Sequence, residues 1–195
     1  MSNVELSFME QVLHCRGGGA VQRAHTIRHT GSYSNAEHSW GVAMLMWYFF
    51  QSDFKRLAIF ALCHDVPECL VGDVPSTAKD SATQDGLEDS INEEFGLPGL
   101  NMMGIREHAI LKLCDRLELY IWGKEQLALG NQYAMEIVSN LECVFDGEHA
   151  FGQKSHWALE PGFVMVQKFY QELRTGSAVP DRTNLLRSIK EKHGY

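Results

Sequence analysis

Apolar residues recur along this chain at the three- to four-residue spacing of amphipathic helices rather than with the alternation of strands. The clearest case is the segment 105–129, where Ile110, Leu113, Leu117 and Ile121 fall on one face. Further helices are predicted at 4–14, 35–51, 54–68, 87–95, 132–145, 158–175 and 181–192. No alternating run is long enough to build a sheet. The pattern therefore predicts an all-α fold.

The helix predicted at 35–51 has a marked start and an unusual composition. Ser34 and Glu37 fit a capping box, in which each side chain bonds to the other residue's backbone amide. Beyond the first turn nearly every residue is apolar, and a helix that is apolar on all sides is typical of the centre of a helical domain. We therefore expect its large apolar side chains to be core residues: Trp40, Met44, Met46 and Trp47.

Length and charge narrow the possible functions. A chain of 195 residues with 45% hydrophobic content can bury one substantial core, which predicts one domain over residues 1–195. The formal net charge of -8 argues against a broad surface for a nucleic-acid polymer, because such a surface needs clustered lysine and arginine. A small phosphate-bearing substrate stays possible, since one local group of basic residues is enough to bind it.

Cysteine usage and the apolar runs bear on location. The five cysteines are an odd number without any Cys-x-x-Cys pair, which indicates reduced thiols in a cytoplasmic protein. The N-terminal residues show no secretory signal. No apolar run approaches the length of a membrane span, so no membrane partner is predicted.

One stretch is densely basic in this acidic chain. Residues 21–29 include Arg23, His25, Arg28 and His29 and show no helical periodicity. Charged runs are most often solvated loops, and the alternative is an anion-binding edge. Both interpretations stay open on composition alone.

Four side chains form the candidate metal-ligand set. His64 and Asp65 are adjacent at the end of one predicted helix, His38 lies in the first turn of another, and Asp115 lies among apolar residues within a third. A carboxylate so placed needs a partner. Two imidazoles and two carboxylates suit one divalent cation and leave positions for water and substrate, and Mn, Co, Fe, Ni, Zn and Mg are all compatible.

The order of these ligands, His38, then His64-Asp65, then Asp115, resembles the signature of the HD-domain phosphohydrolases. Further residues are similar to the 5′-deoxynucleotidases of that family, and the likeness spans roughly residues 20–125. They are Glu37-His38-Ser39, His64-Asp65-x-x-Glu68, Gly72-Asp73-x-Pro75, Lys79 and Arg23. The resemblance implies a compact helical bundle with its metal site between helices, and a homo-oligomer, often a homodimer.

The resemblance also implies roles for residues outside the ligand set. Asp73 would orient or deprotonate the attacking water, and Arg23 and Lys79 would bind phosphate oxygens. Glu68 would be a second acid or base, or would instead fix His38 or the metal-bound water. The deoxynucleotidases carry a tryptophan directly after the arginine, and this chain has Ala24 there. Discrimination against ribonucleotides would therefore depend on another side chain.

Three functions follow as hypotheses. The first is a 5′-deoxynucleotidase that hydrolyses small deoxynucleoside monophosphates. The second is a dNTP triphosphohydrolase of the phage dATP type, which the same pattern also resembles. The third is a non-catalytic HD domain that binds a nucleotide or forms dimers. Glu68 and Asp73 favour an enzyme, because a binding module does not need acid and base groups.

Overall fold

The structure is a computed structural model that describes residues 6–74, 81–147, 156–176, 178, 180 and 182–193. Helices dominate this part of the chain, and the only β-type pairing in it is a single bridge between Gln22 and Ser34. The all-α prediction is therefore confirmed. None of the helices in these ranges is both long enough and apolar enough to cross a membrane.

The α-helices are numbered in chain order. They are α1 Phe8–Gly18, α2 Asn35–Phe49, α3 Gln51–Cys63, α4 Glu68–Val71, α5 Ser81–Glu94, α6 Ile105–Ala128, α7 Met135–Asp146, α8 Pro161–Thr175 and α9 Arg182–His193. Short 3-10 turns at Leu100–Met102, Gln132–Ala134 and His156–Leu159 precede α6, α7 and α8. The predicted capping box is present, with Ser34 and Glu37 bonded to each other's amides at the start of α2.

The single helix predicted at 54–68 is wrong, and the difference matters for the site. Helix α3 ends at Cys63, a turn follows, and α4 begins at Glu68. Pro67 accounts for the break, because it has no backbone N–H to continue the helical ladder. The turn closes instead through hydrogen bonds that span three residues. They run from the Val66 amide to the Cys63 carbonyl and from the Glu68 amide to the Asp65 carbonyl.

The first predicted helix is also shifted along the chain. Helix α1 begins at Phe8, where Ser7 and Glu10 form a capping box, and it ends inside the glycine run at Gly18. Gly18 lies against Val66, where a Cβ atom would come within 2.9 Å of the Val66 backbone. The end of α1 is thereby held close to the turn that follows α3.

The main core lies between α2, α3, α6, α7 and α8. It contains Met46, Leu57, Leu117, Phe145 and Phe163, each at most 2% exposed.

The core prediction for α2 is correct for Met46 and wrong for three other side chains. Trp40, Met44 and Trp47 are 65%, 39% and 47% exposed, and Tyr48 beside them is 68% exposed. Helix α2 buries one face against α3 and α6, while its other face stays at the surface of this chain. Apolar composition on all sides therefore did not mean burial on all sides.

The segment between α1 and α2 is a loop that hydrogen bonds hold at its base and at its tip. At its base the Arg23 amide donates to the Tyr33 carbonyl at 2.8 Å. At its tip, Gln126 of α6 exchanges two hydrogen bonds with the backbone of Thr30, both of 2.9 Å. The basic stretch predicted from the sequence is thus part of a loop held against α6.

Candidate metal centre

Two helices, α2 and α6, and the turn between α3 and α4 bring the predicted ligands together. His38 lies in the first turn of α2, His64 directly follows α3, Asp65 lies in the turn before α4, and Asp115 lies in the middle of α6. His38, His64 and Asp65 place one ligand atom each within 4.8 Å of one another. Asp115 Oδ1 lies 3.1 Å from His38 Nε2 and 3.9 Å from His64 Nε2.

Asp65 lies between the two imidazoles. Its Oδ2 is 3.2 Å from His64 Nε2 and 3.6 Å from His38 Nε2. Both histidines are buried, and the two carboxylate side chains are only 14% and 19% exposed. The Nε2 atoms therefore face a small volume bordered by carboxylate oxygens.

The Nδ1 atom of each histidine points away from this volume and contacts an acceptor on its other side. His64 Nδ1 lies 3.0 Å from the Ala61 carbonyl oxygen, and His38 Nδ1 contacts the carboxylate of Glu118. Both Nε2 atoms are buried and lack a hydrogen bond of acceptable geometry within the described residues. Metal-binding histidines have this arrangement, in which one nitrogen is bonded to an acceptor and the other presents its lone pair.

The local charges also fit a cation. Asp65, Asp115, Glu68 and Glu118 each contact Arg23 or His38. Lysine and arginine offer this group two cations in the described part of the chain, Arg23 and Lys112, whose Nζ lies 3.9 Å from Asp115 Oδ2. Buried carboxylates in excess are costly unless a counter-charge is present. The donor set of two imidazoles and two carboxylates thus fits the divalent ion predicted from the sequence.

The pKa values in the protein without the ion reflect this crowding. Burial lowers the pKa of His38, but the Asp115 and Glu118 carboxylates outweigh burial and raise it to about 9. Burial lowers the pKa of His64. Burial would raise the pKa of Asp115, yet the two histidines hold it below its usual range. The carboxylate of Asp115 is therefore ionised at neutral pH.

Arg23 and Glu68 lie beside the ligand group and are joined by Asn35. Arg23 Nη1 forms an ion pair with Asp65 and lies 3.3 Å from Asn35 Oδ1 and 3.7 Å from Glu68 Oε2. Asn35 Nδ2 donates to Glu68 Oε2 and to the Asp65 carbonyl, both at 3.0 Å. Burial and the nearby Asp65 raise the pKa of Glu68 to about 8. The Arg23 Nε–H is buried and has no partner among the described residues.

Asp73 is attached to the same loop as Arg23. Its Oδ2 accepts a hydrogen bond from the Ala24 amide at 3.0 Å and lies 3.5 Å from His25 Nδ1. Ala24 has a φ of 52°, in the left-handed region that non-glycine residues rarely adopt. The hydrogen bond from the Ala24 amide couples this loop to the Gly72-Asp73 segment.

The structure adds three residues that sequence reasoning did not select: Tyr33, Asn35 and Glu118. Asn35 lies between Ser34 and Glu37 in the predicted capping box, which gave no sign of a role in the site. Glu118 follows Asp115 by three positions on α6, so it lies on the same helical face, and that spacing was a usable signal. Tyr33 carried no signal, because only the folded loop brings it to the histidine. Lys79 and Pro75 lie outside the described residues.

Comparison with known families agrees with this arrangement. The family model of the HD domain matches residues 20–96. This part of the chain is thus similar to an HD domain. The HD domain match includes Arg23, His38, His64 and Asp65, whereas Asp115 lies beyond the matched residues and joins them only through the fold. No curated protein matches the chain significantly.

Several solved structures share the fold of this protein. A protein from Pyrococcus horikoshii OT3 aligns with a TM-score of 0.59 at 18% identity, over 82% of this chain and 98% of its own. A conserved hypothetical protein from Pyrococcus furiosus aligns with a TM-score of 0.60 at 18% identity, over 82% and 99%. The HD phosphohydrolase DatZ of cyanophage S-2L, solved with dA and one catalytic Zn2+ ion, aligns with a TM-score of 0.60 at 20% identity, over 83% and 94%.

Proposed function

We propose that this protein is a metal-dependent phosphohydrolase that removes phosphate from small deoxynucleotides, acting as a 5′-deoxynucleotidase on monophosphates. The observation that carries the proposal is the pair of buried Nε2 atoms of His38 and His64, which face Asp65 and Asp115 and have no hydrogen-bond partner among the residues that the structure describes. The HD domain match and the fold shared with an HD phosphohydrolase that binds dA and Zn2+ support it.

Four side chains would hold the ion: His38, His64, Asp65 and Asp115. When bound, a divalent cation supplies positive charge for a phosphoryl oxygen and makes a water molecule more acidic. The protein's own contribution is to orient these ligands. The hydrogen bond to the Ala61 carbonyl directs His64, and the contact with Glu118 directs His38.

Asp73 would act on the attacking water. Because its Oδ2 is bonded to the Ala24 amide, Oδ1 is the atom that would take the water proton. Glu68 would keep Arg23 and Asn35 in place through its Oε2, which contacts both side chains. These contacts favour a role in holding Arg23 and Asn35 over a second acid or base.

Arg23 and Lys79 would bind phosphate oxygens. Besides the Nη1 atom that pairs with Asp65, Arg23 has a buried Nε–H that no described residue bonds, so the guanidinium retains a donor for a ligand. Guanidinium groups bind phosphate with two parallel hydrogen bonds, which Lys79 as a point charge does not provide.

The substrate test is product analysis on a panel of dNMPs, dNTPs and rNTPs, with matched ribonucleoside monophosphates, in the presence of Mn2+ or Co2+. Inorganic phosphate from a dNMP is the expected product. Tripolyphosphate or pyrophosphate from a dNTP would instead establish the second candidate, which Ala24 favours because the deoxynucleotidase pattern has tryptophan there. Nucleotide binding without turnover across all metals tested would show a non-catalytic HD domain.

Arg23→Ala is expected to lower kcat/KM for the dNMP. The loss should correspond to about 2–5 kcal/mol of transition-state stabilisation, the usual cost of truncating one partner of a buried charge pair. Arg23 lies in a loop outside the hydrophobic core, so the change leaves core packing intact. The ion pair with Asp65 nevertheless predicts some loss of stability as well, because Asp65 and Glu68 lose their nearby cation. Steady-state kinetics and thermal unfolding measure the two effects.

The matched control is Arg28→Ala, which removes an exposed arginine from the same loop. We expect it to leave kcat/KM within about twofold, since exposed charges contribute little. Equal losses in the two variants would contradict a specific phosphate contact by Arg23.

A homo-oligomer is also proposed, formed through the exposed face of α2. Glu37 is the only charged residue of this helix, and Trp40, Trp47 and Tyr48 are all exposed. Two copies of a chain with net charge -8 repel each other least where a face is uncharged. Patches of this kind mark interaction sites more often than free surface.

Trp47→Glu is expected to convert the oligomer to a monomer, because it places a like charge on both sides of the contact. Light scattering coupled to size exclusion measures the mass. Ile105→Glu, which changes a residue that is 82% exposed at the start of α6, is the control and should not alter the mass. A monomeric wild-type protein at micromolar concentration would refute the proposal.

A further inference from the structure

Glu118 occupies a distinct position behind the metal centre. Its Oε2 contacts two groups at once, the Nδ1 of His38 and the hydroxyl of Tyr33. Tyr33 OH also lies 3.0 Å from His38 Nδ1, so the three side chains form a closed group. Glu118 therefore lies on the side of the imidazole opposite to the Nε2 atom that faces Asp115.

The Tyr33 ring is held from two directions. It is only 3% exposed, and it stacks on Trp122 with ring centroids 4.6 Å apart at 14°. Trp122 follows Glu118 by one turn on α6, so one helix supplies both the acceptor for the hydroxyl and the surface for the ring. The hydroxyl has little freedom to leave Glu118.

The Glu118 side chain passes through a space that only a glycine leaves open. Gly41 follows His38 by three positions on α2, and a Cβ atom there would lie 2.6 Å from Glu118 Cγ and 3.0 Å from Oε1. Because Cγ is in the middle of a side chain whose end is bonded twice, it cannot shift without disturbing the contact with His38. A glycine at position 41 is therefore required for the Glu118 side chain to contact His38 in this way.

We propose that Glu118 is a positioning residue that orients His38 for metal binding. Tyr33 and Gly41 keep the Glu118 side chain in the conformation that reaches His38. The inference rests on the metal site of the proposed function. A carboxylate on the second nitrogen of a histidine ligand fixes the ring orientation and makes the ligand more basic, and its loss typically weakens metal binding about 10–100-fold. Glu118 need not touch substrate for this role.

The test measures the affinity of the metal-free protein for Zn2+ alone and for Mn2+ alone, by calorimetry or by competition with a chromophoric chelator. Glu118→Gln is expected to raise the metal Kd about 10–100-fold. Gly41→Ala should raise it as well, although it removes no polar group, because the new methyl displaces Glu118. Tyr33→Phe should raise it less, since the carboxylate remains.

Tyr120→Phe is the matched control. Tyr120 is a buried tyrosine on α6 whose hydroxyl donates to Glu142 at 2.8 Å, away from the metal centre. It removes the same kind of hydrogen bond, and we expect the metal Kd to stay within about twofold of wild type because the altered groups do not touch a ligand.

Thermal unfolding of the metal-free proteins separates positioning from a purely structural role. Gly41→Ala replaces a helical glycine with a residue of higher helix propensity, so its Tm need not fall while its metal affinity does. Should Glu118→Gln fail to fold, Gly41→Ala and Tyr33→Phe still decide the question, because both keep the carboxylate. An unchanged metal Kd in Gly41→Ala and in Glu118→Gln would overturn the inference.

The outcome is separable from that of the proposed function. A wild-type protein that binds metal but hydrolyses no nucleotide would refute the function, while weakened binding in the variants would still support the role of Glu118. Conversely, an active wild-type enzyme with variants of unchanged metal Kd would refute only the role of Glu118.

Discussion

His64→Ala is expected to abolish turnover and metal content together. The substitution removes one of the two imidazole donors, and when the ion is lost Asp65 and Asp115 lose the cation that offsets their charge. Asp65→Ala should have the same effect, because its Oδ2 lies within 3.6 Å of both Nε2 atoms. Metal analysis after dialysis and phosphate release from a dNMP measure the two losses.

The control for this prediction is His14→Ala, which removes a histidine that stacks on Phe95 outside the site. Its metal content should match that of the wild type. If His64→Ala or Asp65→Ala kept near wild-type activity after chelation and reconstitution, the assignment of the metal centre would be wrong.

Asp73→Asn is expected to reduce kcat by roughly 10²–10⁴, the range typical of a general base, while metal occupancy stays nearly intact. Asparagine keeps the shape of the side chain and can still accept the Ala24 amide bond through its carbonyl oxygen. It cannot take a proton from water. Single-turnover phosphate release and metal analysis on the same sample test both statements.

A matched control exists on α5. Asp89 Oδ1 accepts the Leu100 amide at 2.8 Å, the same kind of contact at a distance from the ligands, so Asp89→Asn should leave kcat unchanged. Loss of the metal in Asp73→Asn would place Asp73 among the ligands instead of beside the water.

Local sequence signals were sufficient to predict the positions of most helices. The periodic segment 105–129 corresponds to α6 at Ile105–Ala128, and the capping box at Ser34 marks the start of α2. Both signals act between residues three or four positions apart, which is the range that a helix itself connects. The prediction of one helix at 54–68 is wrong because the apolar pattern outweighed Pro67.

Exposure was the property that local signals predicted least well. The apolar composition of α2 predicted a core position for Trp40, Met44 and Trp47, yet all three are at the surface. The composition of a helix shows how apolar each of its faces is. It does not show which of those faces other helices pack against. Only the packing of α3 and α6 on one side of α2 determined which face is buried.

The sequence by itself determined the helical fold and the residue types of a metal site. His64 and Asp65 are adjacent in the chain, so their proximity needs no tertiary contact. Asp115 and His38 are far apart in sequence, and only the packing of α6 against α2 places their atoms 3.1 Å apart. The tertiary structure alone decided that Tyr33 and Glu118 bond to His38 Nδ1, because a side chain's hydrogen-bond partner depends on which helices meet around it.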